Sequence, residues 1–548
     1  MHKYCSNLNK YQRFKSREVL IGDVPLGYGH PIRIQSMTTT NTLDIESTVN
    51  QSIKIIESGS DYVRITAPSI KEAKALKEIK DSLRRKKYKT PLIADIHFTP
   101  NAAIEAARIV EKVRINPGNY ADRKKFKVFE YTDREYNDEL DRIYERFSPL
   151  VKICKENGTA MRIGTNHGSL SDRIMNRYGD TPLGMVESAM EFLRICENHS
   201  YHNIVLSMKS SNPIIMVQAY RLLINKMMNE KMNYPLHLGV TEAGEGMEGR
   251  IKSSIGIGAL LEDGLGDTIR VSLTEEPELE IPVARRIVDR YDERGKHDKI
   301  KNLHIEAFDP FDYNKRKTNP VINIGGDNVP RVILDLSFIK KIDLDILEDC
   351  GYSYLNETDK WLIKDLAADY VHIGDSNINI KFPPQLKVIC NYSTWRKHRT
   401  EENVYPELTI DEYINEDIEG LKFLYLSGKD CIDKKFINLI NRDKALVLLL
   451  DTYNNHGLVD QRNLFCNLMN FNIKVPIIIG RYYHNLSLGQ LQIDASIDIG
   501  GLFIDGLGDG LFISHNNTVS INEVNKKMVH IYTYFYNSCY RTGQKKRF

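Results

Sequence analysis

Four arginines and one lysine in the first half of the chain each lie in, or directly after, a short run of apolar residues. Guanidinium groups bind phosphate oxygens in pairs, and a lysine ammonium adds a compact positive charge. Like charges are costly to gather unless a polyanion compensates them. If these side chains meet, they indicate a site for a small ligand with about two phosphates. The five residues are Arg64, Arg114, Arg162, Lys209 and Arg270.

Other polar residues stand at comparable positions. Glu242 is the best acid–base candidate, because it is a carboxylate expected among cations beside the ligand. His97 is open to three roles: a proton carrier, a ligand contact or a hydrogen-bonded structural residue. The glycine-rich run 239–249 fits either a phosphate-binding loop or a flexible loop. The remaining candidate contacts are Gln35, Asn116, Asn166 and Ser272.

These residues need a scaffold that brings distant strands to one place. Strand-like runs alternate with helical patterns eight times, and Ser69 with Glu72 forms a capping box at the start of one helix. This count and length match a (β/α)8 TIM barrel, whose active site lies at the C-terminal ends of its strands. An open doubly wound sheet is the alternative. The expected strands are 31–37, 62–67, 91–96, 113–116, 160–164, 203–208, 236–240 and 268–273.

A second series of seven strand-like runs predicts a degenerate, barrel-like α/β insert domain. Residues 258–272 and 500–514 are identical at eight of fifteen positions without a gap. Arg270 of the first copy is replaced by Phe512, so we expect the second module to keep the fold and lose the site. The predicted domains are a substrate-binding barrel (1–292), a charged linker (293–317), the insert domain (318–520) and an aberrant remnant (521–548).

Composition excludes several classes of protein. The 548 residues contain 75 Lys plus Arg and 73 Asp plus Glu, so the net charge of +2 gives no general footprint for nucleic acid. No apolar run approaches the ~20 residues of a membrane helix, and the start has no secretory signal, which favours a cytoplasmic protein. The eight cysteines are scattered without a C-x-x-C, which favours reduced thiols over disulfides or an evident metal site.

Several longer motifs resemble the 4-hydroxy-3-methylbut-2-enyl diphosphate synthases of the methylerythritol phosphate isoprenoid pathway. They occur in order over the whole first barrel, and the second module resembles the large insert of the family's long form. The resemblance covers about residues 15 to 520. The motifs are QSMT (35–38), ADIHF (94–98), RINPGN (114–119), RIGTN (162–166), YGDTP (178–182) and the stretch 236–277.

The resemblance implies a substrate and a reaction. The substrate would be 2-C-methyl-D-erythritol 2,4-cyclodiphosphate, opened by a two-electron reduction with loss of a hydroxyl group. Glu242 would handle protons. A [4Fe–4S] cluster on a C-terminal domain, held by three cysteines and a glutamate, would supply electrons from ferredoxin or flavodoxin, in a homodimer. The diphosphate would be held by Arg64, Arg114, Arg162, Lys209 and Arg270, with assistance from Asn116, Asn166 and Ser272.

The C-terminal end departs from the family pattern. The cluster domain is expected to begin near Cys539 with a C-x-x-C, but the sequence there reads NSCYRTGQKKRF. One cysteine does not hold a [4Fe–4S] cluster, which takes four protein ligands. The expectation is therefore an iron–sulfur domain that is truncated, or frameshifted near residues 525–527, with its cluster ligands absent.

Three other hypotheses stay open on the sequence alone. The first is a truncated, catalytically inactive barrel that binds diphosphate. The second is a pterin-binding barrel of the dihydropteroate synthase type, which has a similar architecture and also binds diphosphate. The third is a purely structural role, in which substitution of Arg64 or Arg270 would change only stability.

Overall fold

The computed structural model describes residues 4–96, 98–121, 130–301, 309–378, 380–430, 433–515, 520–526 and 529–531. Apart from Leu8–Lys10, which groups with the second unit, the chain divides between Glu293 and Arg294 into two compact units. Within the described residues, no helix has the length and apolar character needed to span a membrane.

The first unit begins with a short antiparallel hairpin, followed by eight strands that form one parallel sheet. A parallel bridge between Leu206 and Leu236 links the two end strands and completes the ring. The predicted (β/α)8 barrel is therefore confirmed. The strands are β1 (Val19–Ile21), β2 (Val24–Leu26), β3 (Arg33–Met37), β4 (Tyr62–Thr66), β5 (Leu92–Asp95), β6 (Lys112–Ile115), β7 (Ala160–Asn166), β8 (Ile204–Lys209), β9 (His237–Leu238) and β10 (Thr268–Ile269).

Helices connect these strands, as the sequence pattern predicts. The capping box at Ser69 is formed, and Thr181 caps the helix that has Pro182 in its first turn. Short 3-10 turns occur at His167–Ser169 and Pro277–Leu279. The helices are α1 (Ile45–Glu57), α2 (Ile70–Arg85), α3 (Pro100–Ala107), α4 (Pro117–Tyr120), α5 (Asp133–Asn157), α6 (Asp172–Tyr178), α7 (Pro182–Asn198), α8 (Pro213–Asn229), α9 (Gly246–Glu262) and α10 (Glu280–Asp289).

The second unit is a closed eight-stranded barrel, which confirms the expected second barrel-like module. Its strands in ring order are β11, β14, β15, β16, β17, β18, β19 and β20, and β12 with β13 forms a separate hairpin. The strands are β11 (Arg331–Asp335), β12 (Tyr352–Leu355), β13 (Lys360–Ile363), β14 (Tyr370–His372), β15 (Lys387–Asn391), β16 (Val404–Leu408), β17 (Lys422–Ser427), β18 (Leu446–Asp451), β19 (Ile477–Tyr483) and β20 (Gly510–His515). The helices are α11 (Leu344–Asp349), α12 (Tyr392–His398), α13 (Ile410–Asn415), α14 (Lys434–Arg442), α15 (Gly457–Asn470) and α16 (Leu488–Ile504).

Three features of the strands were not predicted from the sequence. The hairpins β1–β2 and β12–β13 have strands of only three or four residues, too short for a clear period. Strand β16 was also missed, because its sequence VYPEL carries Pro406 in the middle. A proline is uncommon within a sheet, since it cannot donate a ladder hydrogen bond.

Each barrel has an apolar floor at the N-terminal ends of its strands. In the first barrel, Val19, Ile21 and Leu26 of the hairpin pack against inward side chains such as Tyr62 and Ile93. In the second barrel, the turn at residues 321–324 packs against Ile333, Tyr370, Phe423 and Val447. In the first barrel the floor thus leaves the opposite, C-terminal end for polar residues, whereas in the second barrel the apolar cluster also includes Phe423, with Phe512 packed against it.

The internal repeat is also visible in how each barrel anchors the segment before it. Gly264 has φ of 76°, and a Cβ there would lie 2.4 Å from the carbonyl oxygen of Gln12. Gly506 has φ of 75°, and its Cβ would lie 2.3 Å from the carbonyl oxygen of Asn314. Both positions therefore require glycine. We call each of these preceding segments a strap. The second strap, near Asn314, lies within the stretch 293–317 that the sequence predicts to be a charged linker.

Removing a floor side chain should destabilise the first barrel. We expect Ile21→Ala to lower the free energy of unfolding by about 2–4 kcal/mol, because Ile21 is fully buried. Leu20 is 51% exposed, so Leu20→Ala should change it by no more than about 0.5 kcal/mol. Urea denaturation of both variants provides the measurement, and equal losses would contradict this account of the floor.

Candidate anion-binding site at the mouth of the first barrel

Three predicted arginines lie on the inner side of neighbouring strands. In the strand register, Asp95 of β5 lies opposite Arg114 of β6, and Arg114 lies opposite Arg162 of β7. Arg64 lies opposite Ile93, a residue of the inward floor, so it points to the same side. All three arginines are buried. The barrel thus brings together guanidinium groups from sequence positions that lie far apart.

A single buried carboxylate holds two of these arginines. Arg114 Nη1 donates to Asp95 Oδ1 at 3.1 Å, and Arg64 Nε lies 3.4 Å from Asp95 Oδ2. Arg114 Nη2 also donates to the carbonyl oxygen of Gly164 at 2.9 Å and to Asn166 Oδ1 at 3.3 Å. Two guanidinium groups with one carboxylate keep a net positive charge.

Arg270, directly after β10, has a carboxylate partner of its own. Arg270 Nε donates to Glu280 Oε2 at 3.2 Å, and Arg270 Nη2 donates to Glu280 Oε1 at 2.8 Å. Glu280 is the first residue of α10 and is 2% exposed. The orientation of Arg270 is therefore fixed from the helix that follows its strand.

Two glycines on the inner face make room for the cationic side chains. A Cβ at Gly164 would lie 2.8 Å from Arg114 Nε and 3.0 Å from Ser207 Oγ. A Cβ at Gly239 would lie 3.0 Å from Lys209 Nζ, at the end of β8. Glycine is needed here for space and not for backbone conformation, since neither residue has a positive φ.

The cations strongly influence one another. Burial lowers the pKa of Lys209 well below its ordinary value, and the charges of Arg162 and Arg64 lower it further. Burial also lowers the pKa of Arg64 to about 10, although Asp95 opposes this shift. The pKa of Arg162 is lowered well below its ordinary value, and burial is again the main cause. A bound polyanion would relieve this repulsion and favour the charged forms.

The remaining predicted contacts lie near these strands in different settings. Gln35 is buried within β3, and Ser272 lies three residues after the end of β10. Asn166 ends β7 and accepts the bond from Arg114 given above. Asn116 follows β6, but its Nδ2 donates to Ser169 Oγ at 2.7 Å. Asn166 thus joins the cation cluster directly, whereas Asn116 is turned to another partner.

Glu242 is exposed in the loop after β9, and no ion pair within the described ranges joins it to the cations. Its φ of 52° lies in the left-handed region, which residues other than glycine rarely adopt. Such a conformation costs on the order of 1 kcal/mol or more and often marks a functional loop. The other acid–base candidate, His97, lies outside the described residues.

Four further residues belong to this interior but are not among the predicted site residues. Asp95 and Glu280 are the carboxylates described above. Lys112 and His237 are fully buried in the same barrel, and burial is the first cause that lowers the pKa of each well below its ordinary value. Only Asp95 and His237 could have been suspected, since both stand near the ends of expected strands.

The second barrel shows what replaces the cations. Strands β8 and β18 have six residues each, and Lys209 and Asp451 are their last residues. In the strand register, Arg162 lies opposite Val205, the second residue of β8. In the same way, Phe423 lies opposite Val447, the second residue of β18. The register gives these replacements in order along the chain: Arg64 by His372, Arg114 by Glu407, Arg162 by Phe423, Lys209 by Asp451 and Arg270 by Phe512.

The mouth of the second barrel is therefore built around a histidine between carboxylates. His372 Nδ1 lies 3.5 Å from Asp335 Oδ1, and His372 Nε2 lies 3.1 Å from Glu407 Oε2. Burial alone would lower the pKa of His372, but the two carboxylates outweigh it and raise the pKa to about 10. None of these five described positions in the second barrel carries an arginine or a lysine, which agrees with the expected loss of the site.

Filling the space at Gly164 should weaken anion binding. The new Cβ of Gly164→Ala would displace Arg114, so we expect about a tenfold loss of affinity for inorganic pyrophosphate, measured by isothermal titration calorimetry. Gly168→Ala is the control, because a Cβ there meets nothing within 4 Å. Equal affinities for the two variants would show that Arg114 does not contribute to the site.

Protonation of His372 should stabilise the second barrel. Because its folded-state pKa of about 10 exceeds the ordinary value of 6.5, this contribution is complete below pH 6.5 and is lost as the pH rises through 10. Urea denaturation at several pH values should show this decline in the wild type and not in His372→Gln. Parallel pH profiles for the two proteins would contradict it.

Comparison with known proteins agrees with this geometry. Residues 16–285 match the family described as the GcpE TIM-barrel domain. The chain is 45% identical over 507 residues to 4-hydroxy-3-methylbut-2-en-1-yl diphosphate synthase (flavodoxin) of Parabacteroides distasonis, covering 92% of this chain and 79% of the relative. It is 42% identical over 546 residues to the chloroplastic, ferredoxin-type synthase of Arabidopsis thaliana, covering 93% of this chain and 73% of the relative.

These similarities extend over both barrels, because each alignment covers more than nine-tenths of the chain. They support the synthase hypothesis over the pterin-binding alternative. The chain belongs to the 4-hydroxy-3-methylbut-2-en-1-yl diphosphate synthase family.

Proposed function

We propose that this protein opens 2-C-methyl-D-erythritol 2,4-cyclodiphosphate reductively, forming 4-hydroxy-3-methylbut-2-enyl diphosphate for isoprenoid synthesis. The substrate takes up two electrons and two protons, the ring carbon–oxygen bond to phosphate breaks, and the hydroxyl group leaves as water. The observation that carries this proposal is the set of five cations at one barrel mouth, compensated within the described residues by Asp95 and Glu280. A compact diphosphate fits that surplus of positive charge.

The cations act as the grip on the diphosphate. Arginine forks bind pairs of phosphate oxygens, while Lys209 supplies a point charge whose protonated form the bound anion stabilises. We assign the diphosphate contacts to Arg64, Arg114, Arg162, Lys209 and Arg270. Asn116, Asn166 and Ser272 are proposed to assist them, and Gln35 and His97 are further contacts that we propose from the sequence.

Glu242 is the proposed proton-handling residue. Its exposed position, in a loop rich in glycine after β9, lets it reach a ligand from the solvent side of the mouth. Its left-handed backbone supports a functional role for this loop, because such a conformation persists where the surroundings require it. A carboxylate at that position takes up or releases a proton as the ring opens.

In this family the electrons would come from an iron–sulfur cluster, which we propose to be of the [4Fe–4S] type. The described residues do not fit such a cluster, because they contain no group of three or more metal-ligating side chains. Their six cysteines are buried at scattered positions, while Cys431 and Cys539 lie outside the described residues. The relatives' names indicate flavodoxin or ferredoxin as electron donor, and a cytoplasmic homodimer is part of the same proposal.

The proposal predicts that one molecule of the cyclic diphosphate binds per chain, because the second barrel has lost the cations. Isothermal titration calorimetry should give a stoichiometry of one, and Arg270→Ala should weaken binding by at least about tenfold. Arg85→Ala, on the exposed side of α2, is the control and should bind like the wild type. Absence of binding to the wild type, or two sites per chain, would overturn the assignment.

A further inference from the structure

Glu280 is placed to control the geometry of the anion site without touching the ligand. Besides its two bonds from Arg270, its Oε2 accepts a hydrogen bond from Ser36 Oγ at 2.7 Å, and its Oε1 accepts one from the backbone N–H of Leu273 at 3.2 Å. The carboxylate therefore connects β3, the segment after β10 and the start of α10. Four donors therefore surround this carboxylate and hold it in position.

Within the described part of the chain, the hydrogen bonds of Arg270 leave one edge of its guanidinium group open. A guanidinium group has five N–H donors, and Glu280 takes the Nε donor and one donor on Nη2. The two Nη1 donors and the second Nη2 donor are left to form a fork of the kind that binds phosphate oxygens. Glu280 thus fixes the plane of Arg270 and directs its free edge.

The second barrel serves as an internal comparison. Arg270 corresponds to Phe512 in the gapless match of residues 258–272 with 500–514. Ser36, the fourth residue of β3, corresponds to Leu334, the fourth residue of β11. The two side chains that donate to Glu280 are therefore both replaced by apolar residues. The second barrel closes without this pair, so the pair is not required for barrel closure.

We propose that Glu280 is a positioning residue that holds Arg270 in the orientation needed to bind the diphosphate. This inference rests on the proposed function, in which Arg270 contacts that group. The proposal and simple electrostatics predict opposite effects of removing Glu280 on the affinity for the anion. If the carboxylate only reduced the positive charge of the mouth, it would weaken anion binding, and its removal would strengthen that binding. A positioning carboxylate has the opposite effect, because its removal frees Arg270 to adopt other rotamers.

The test measures the affinity for the cyclic diphosphate in Glu280→Gln, Glu280→Asp, Arg270→Ala and the double variant Glu280→Gln/Arg270→Ala. We expect Glu280→Gln to weaken binding by about tenfold or more and Glu280→Asp to weaken it less. The double variant should bind no more weakly than Arg270→Ala alone, because Glu280 acts through that arginine. Circular dichroism melting reports folding, and Glu280→Asp keeps the charge if the glutamine variant does not fold.

Glu191→Gln is the matched control, since Glu191 is also buried and binds Arg173 through both oxygens, at 2.9 and 2.6 Å. It should lower the melting temperature without changing the affinity. Unchanged or tighter binding in Glu280→Gln, with weaker binding in Arg270→Ala, would overturn the positioning role and leave the proposed function intact. Unchanged binding in Arg270→Ala would instead remove the basis of both assignments.

Discussion

The repulsion among buried cations is the constraint on which the rest of the first barrel depends. Arg64, Arg114, Arg162, Lys209 and Arg270 come from five strands, and burial makes the charges of Arg64, Arg162 and Lys209 more costly than they would be in water. Side chains under such repulsion move apart unless their backbone is fixed. The closed ring, the apolar floor and the carboxylates Asp95 and Glu280 together prevent that movement. The site is thus preorganised for an anion at the expense of its stability without one.

The two barrels separate the requirements of the fold from those of the site. Both have an apolar floor, and both have an arginine–aspartate pair at the start of their first two strands: Arg33 with Asp61 at 3.2 Å, and Arg331 with Asp369 at 3.0 Å. At the mouth the same positions differ completely. Conservation of the floor with replacement of the mouth shows that closure of the barrel places few demands on the residues that would contact a ligand.

Much of the architecture could be predicted, because buried parallel strands have a distinct apolar pattern. All eight strands of the first barrel and seven of those in the second were expected from it. Strand β16 broke the pattern through Pro406, and the short hairpins were below the length at which a period can be recognised. These misses have local causes, and they did not affect the prediction of the fold class.

The charged residues of the candidate site could be predicted from the sequence, but the side chains that hold them in position could not. Cations at strand ends could be read from their positions, but the link between Ser36 and Glu280 spans 244 positions and has no local signal. Glu242 was proposed from its position after a strand, and that position could not reveal its exposure or its left-handed backbone. Side-chain partners depend on tertiary contacts, which a single sequence does not contain.

The strap that precedes the second barrel has a consequence for any attempt to separate the two halves. Arg316 Nη1 and Nη2 donate to the carbonyl oxygens of Val475 and Ile473, at 3.1 and 2.6 Å, and Thr318 Oγ1 donates to Asp509. A fragment that starts at the first strand, Arg331, would leave these acceptors and a buried aspartate exposed. Expression boundaries chosen from the strand pattern alone would therefore yield an incomplete domain, whereas a start at Arg294 would retain the strap and its contacts.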